Sequence, residues 1–165
     1  MGNPTAASEI KGVLAAIKSA IEGNETIAAY TGWGGVLILD PSIHTLQWFE
    51  KCGVVLIPDD TEEVGGQEGD GPVCSGLVRY GMHKVGVYVG WRLDEMTADG
   101  AITSTGGLLD LTKEVRNVLR DSTLSSAVEW CDTVHTSYYL APPTADGVVD
   151  VLFNKIDVTV KTVDW

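Results

Sequence analysis

Bases are scarce in this chain: 11 Lys and Arg stand against 23 Asp and Glu, for a formal charge of −12. Each contact to a phosphate backbone needs a local cation, and the far field here repels polyanions, so nucleic-acid binding is disfavoured. The same field suits a surface that nucleic acid passes without sticking. Also missing is any run of eighteen apolar residues, so no helix of the sequence pattern spans a membrane. The first nine residues, Met1 to Glu9, have neither a basic nor an apolar region, which argues against a secretory signal. Ala6 occupies the position where the myristoylation pattern that starts at Gly2 needs Ser or Thr. Cysteines are three, Cys52, Cys74 and Cys131, too far apart for a metal pattern. A 165-residue chain does not depend on disulfides for stability, so buried free thiols are expected.

Catalytic signatures are equally thin. His44, His83 and His135 have no metal-ligand spacing around them. They are read as packing, capping or surface residues. Asp132 and His135 are three apart, which in a regular strand puts them on opposite faces. No Gly-x-Ser-x-Gly elbow, phosphate cradle or dinucleotide fingerprint occurs. No catalytic residue, cofactor or bound metal is therefore assigned.

What is present is one domain's worth of apolar residues, 44% of residues 1–165. Ile10, Val13, Leu14, Ile17 and Ile21 recur at helical spacing and predict a helix over 8–22, stopped by Gly23 and Asn24. Leu108, Leu111, Val115, Val118 and Leu119 predict a second over 108–120. Strands are expected at 36–39, halted by Asp40 and Pro41, and at 53–57, stopped by Pro58. Residues 43–50 fit either a strand or a helical turn. After a short strand at 77–80, residues 82–91 alternate with period two, Val85, Val87, Val89 and Trp91 on one face. Residues 94–107 read as a loop. Residues 127–140 alternate weakly and end before Pro142 and Pro143. From Val148 onward the apolar parity changes near Asn154, which implies a bulge or bend there. The order predicts an α+β fold, a mainly antiparallel sheet with two helices packed on one face.

The segment with the most distinctive composition is Asp59 to Asp70. Its six acids, Asp59, Asp60, Glu62, Glu63, Glu68 and Asp70, are accompanied by no base. Such a run buries too little apolar surface to offset its ordering entropy, so a long acidic loop is expected. The loop is read as a surface that orders against another protein. Glu62, Glu63, Glu68 and Asp70 also offer oxygens for a hard cation, but without the EF-hand order. Trp33, Trp48 and Trp165 fall at loops or ends and are the candidate exposed anchors.

The whole layout resembles a known family. An N-terminal helix precedes Gly53-Val-Val-Leu-Ile-Pro58; an acidic excursion, the strand Lys84 to Trp91 and the helix Leu108 to Leu119 follow; Phe153-Asn-Lys-Ile-Asp-Val-Thr-Val160 closes it. Over residues 8–163 this order is similar to the tail terminator, or tail completion, proteins of long-tailed bacteriophages, also called minor tail or neck proteins. The resemblance implies an α+β subunit of a hexameric ring that caps the tail tube and meets the head connector. The genome would cross its negative lumen without specific binding. It further implies self, tail tube protein and head–tail connector protein as partners, in the virion tail or neck, after assembly in the host cytoplasm. The six acids would lie in a loop facing the lumen or a neighbouring ring. A head-completion or neck adaptor role is the alternative, and a small cation-dependent hydrolase using the loop acids is the competing class.

Overall fold

A computed structural model of the chain describes residues 10–38, 50–65, 79–92, 103, 105–121, 128–140 and 151–164. Helix α1 (Ile10–Glu22) buries Val13, Leu14, Ile17 and Ile21, the stripe its spacing predicts. The Gly23 N–H returns to the Ser19 carbonyl at 2.9 Å and ends it. Asn24 then opens a four-residue helix, α2 (Glu25–Ala28), its side-chain oxygen accepting from the Ile27 N–H at 3.0 Å. Helix α3 (Leu108–Asp121) buries Leu108, Leu111, Val115, Val118 and Leu119.

Five strands form one sheet in the order β1-β2-β3-β5-β4. They are β1 (Trp33–Ile38), β2 (Cys52–Gly65), β3 (Arg79–Arg92), β4 (Val128–Leu140) and β5 (Val151–Asp164). β1 runs parallel to β2, and the other pairings are antiparallel. The α+β expectation with a mainly antiparallel sheet holds, with one parallel edge that periodicity does not reveal.

Val54 and Leu56 of β2, Val87 and Val89 of β3, and Leu152 and Ile156 of β5 pack with the stripes of α1 and α3 into one core. Both long helices therefore cover the same face. Val55, Val151 and Phe153 are also buried but stand outside that cluster, at positions of opposite parity.

Three expectations need correction. β2 does not stop at Pro58. It continues to Gly65, paired with β3, so Asp59 to Gly65, expected as the start of the acidic loop, are strand, and the proline is absorbed at an irregularity between Pro58 and Asp60. A bulge is one of the few places where a strand tolerates a residue without an N–H. The parity change in the last strand is not a bulge against β3 either: β5 pairs with β3 in one unbroken register from Val151 to Asp164. The pattern misleads because both faces are apolar at that end and Asn154 occupies a core position on the helix side. The irregularities sit in β4 instead, at Val128/Trp130 and Thr133/His135. Through the second of these, Asp132 pairs with Thr159 and His135 with Asp157, two positions apart on β5 rather than three. Finally, Trp33 begins β1, where it is half-buried against the core, instead of standing exposed at a loop.

Candidate functional site: the far half of the sheet

Strands of 13 or 14 residues extend about 45 Å, whereas helices of the same residue count extend about 20 Å. The strands are thus about twice as long as the helices, and on the helix side Val85, His83, Val158 and Val160 are still buried toward the far end. The far half of the sheet consists of residues 57–65, 79–85, 158–164 and 128–133, which share one level through the register.

This is where the first part of the acidic run lies. Asp59 and Asp60 are exposed in β2, and Glu62 and Glu63 follow in the same strand. Glu68 and Asp70, like Trp48 and Trp165, lie outside the described residues, as do His44 and Cys74. The run without bases in sequence is brought beside bases in space. Asp60 stands opposite Lys84 of β3, and Gly65 opposite Arg79. On β5, Lys155 pairs with Asp157 at 3.0 Å and reaches over the Tyr88 ring at 5.6 Å. Its hydrogen bond to Asp157 holds the ammonium pKa above its ordinary value, with the Tyr88, Asp157 and Asp59 charges adding to the effect against the cost of burial. Among the described residues, no three His, Cys, Asp or Glu side chains gather as a metal set.

Under the acidic strand, on the helix side, His83 is buried between two hydroxyls. Its Nδ1 lies 3.2 Å from Thr61 Oγ1 of β2 and its Nε2 lies 3.1 Å from Thr162 Oγ1 of β5. The ring thereby ties three adjacent strands together. Gly81 makes room for it, since a Cβ there would lie 2.7 Å from both His83 Nε2 and Thr162 Oγ1. The histidine has the packing role its isolation in sequence suggests.

At the other end of the sheet lies a cleft of about 470 Å³, lined by Tyr30, Thr31, Gly32, Glu50, Lys51, Trp91, Thr105 and Gly106, which no motif in the sequence announces. Tyr30 meets Trp91 edge-on, with centroids 6.4 Å apart, and the Lys51 ammonium sits 5.8 Å from the Trp91 centroid. Burial, then the charges of Asp110, Glu114 and Cys52, push the Tyr30 phenol up. Cys52, beneath the cleft, is a buried free thiol pushed up to about 11 by burial, with Lys51 acting weakly the other way. It holds its proton at neutral pH, which makes it a poor nucleophile. Two glycines that line the cleft, Gly32 (φ 71°) and Gly106 (φ 76°), hold positive φ, where glycine is favoured.

Against known proteins, the chain matches no protein-family model and no curated protein.

Proposed function

We propose that this chain is a structural subunit of a phage tail, acting as a tail terminator: copies close into a ring, hexameric by resemblance, that caps the tail tube and joins it to the head connector. Its work is assembly, not turnover. The observation that supports this reading is the far half of the sheet. The full strands are about twice the length of the helices, and in this half β2 carries Asp59, Asp60, Glu62 and Glu63, with Lys84 of β3 opposite Asp60. The exposed Asp59 and Asp60, with the acids that follow them in β2, give this half of the sheet a negative strand. It is suited to docking against a neighbour, and its charge suits a surface past which DNA slides.

Each copy would bury apolar area against two neighbours through a heterologous contact that closes on itself. Electron microscopy of the concentrated protein tests this: closed rings with a central opening are the expected image. Filaments of indefinite length or featureless monomers would refute it.

A further inference from the structure

We infer that Asp132, His135 and Asp157 are the ligands of a divalent transition-metal ion of the Zn²⁺ kind, bound on the face of the sheet turned away from the helices. A single extra residue in β4 brings the three positions together. The inference goes beyond the assembly reading and does not rest on it.

Asp132 and His135 are three apart, a spacing that a regular strand divides between its two faces. The pairing with β5 removes that division. Asp132 stands opposite Thr159 and Thr133 opposite Val158, but it is His135, not Val134, that stands opposite Asp157. Val134 is thus the extra residue of a bulge, and beyond it the parity of β4 is reversed. Cross-strand partners share a face of the sheet, and on β5 Asp157 and Thr159 alternate with the core residues Ile156, Val158 and Val160. Asp132, His135 and Asp157 therefore belong to one face, opposite the helices. Cys131 pairs with the core residue Val160, which places it on the helix face and outside the set.

The separations suit a shared ion. His135 and Asp157 are a direct pair, with Cβ atoms about 4.5–5.5 Å apart, and Asp132 is the diagonal neighbour of Asp157 at about 7–8 Å. Donors on such positions can close on one ion at about 2.0–2.2 Å each. Solvent reaches the place, since the Asp157 side chain is 35% exposed. Its Oδ1 carries the Lys155 ammonium at 3.0 Å, so an ion takes Oδ2 or displaces a lysine that already rests on the Tyr88 ring. No three such side chains gather in advance among the described residues, so the ion draws them in from the positions the backbone sets.

Donor type and charge choose the ion. Two carboxylates cancel a double positive charge. An imidazole nitrogen favours Zn²⁺, Co²⁺ or Ni²⁺ over Mg²⁺ and Ca²⁺, which take oxygen. Three protein donors leave a fourth position for water. Held this way, the ion ties β4, which ends the strand order, to β5 across the bulge that interrupts their ladder.

Calorimetric titration of the full chain, stripped beforehand with a chelator, tests the site. One Zn²⁺ per chain is expected to bind, and Mg²⁺ to give no heat. His135→Ala and Asp132→Asn should each weaken Zn²⁺ binding by about tenfold or more, and His44→Ala should leave it as it was. Deleting Val134 returns Asp132 and His135 to opposite faces and should have the same effect as His135→Ala. Hydrogen exchange of the β5 amides checks that each variant keeps the sheet. Zn²⁺ binding that survives His135→Ala, that is lost with His44→Ala, or that is absent at millimolar Zn²⁺ would overturn the inference.

Discussion

Asn154, fully buried on the helix side of β5, donates through Nδ2 to the Thr112 hydroxyl of α3 at 3.0 Å. The Thr112 hydroxyl in turn donates a hydrogen bond to the Leu108 carbonyl at 2.7 Å. This polar chain fixes which turn of α3 sits over the centre of the sheet. Among the described residues Asn154 Oδ1 has no hydrogen-bond partner, so the amide is half-satisfied in an apolar setting.

Removing its one partner should therefore cost more than removing the polar pair. Thr112→Val is expected to lower stability by about 1–3 kcal/mol in urea unfolding, the cost of a stranded buried donor. Adding Asn154→Leu to that variant should recover much of the loss. A neutral Thr112→Val would show that the bridge contributes nothing.

The three glycines with positive φ among the described residues, Gly32, Gly35 and Gly106, are not equivalent. Gly106 (φ 76°) has open space where a Cβ would go, so Gly106→Ala should cost about 1 kcal/mol, the backbone term alone. At Gly32 (φ 71°) a Cβ would come 2.3 Å from Lys51 Cβ, adding a clash to the same backbone cost. Thermal melts should rank Gly32→Ala well below Gly106→Ala, and the reverse order would contradict the geometry.

Cys52 makes stability depend on alkaline pH. Its thiol pKa is raised from 9.0 to about 11 on folding, so between those values the unfolded chain has released a proton that the folded chain keeps. The contribution is fully present below pH 9 and is lost as pH rises toward 11. Urea midpoints should fall over that window, and Cys52→Ala should flatten the fall. Identical slopes in the two proteins would refute the assignment.

Asp60 and Lys84 face each other across β2 and β3. Asp60→Lys places like charges opposite one another and should cost about 0.2–1 kcal/mol at low salt. Because Asp60 and Lys84 are exposed, the penalty should shrink in 1 M salt. A penalty that salt leaves unchanged would point to a packing effect.

Much of this fold is legible in sequence because its signals are local. The stripes of α1 and α3 and the alternation from Val85 to Trp91 each span one element and name the residues that are found buried. What escapes is non-local or special. β2 past Pro58 is polar and contains a proline, and only its partner β3 and a bulge make it a strand. Asn154 breaks a parity rule because its Nδ2 is met by Thr112, 42 residues away. The short α2 depends on one cap, Asn24, and the cleft beside Trp91 is assembled from residues of distant segments. Of the candidate site, the acidic character of 59–63 is plain in sequence. Its strand geometry and its neighbours Lys84 and Lys155 are not.

The proposed role stands or falls on the solution mass of the purified chain. Light scattering across a concentration series should show the 17.6 kDa chain converting to one closed species, about 106 kDa for a six-membered ring. A mass that stays at 17.6 kDa up to the solubility limit would contradict it.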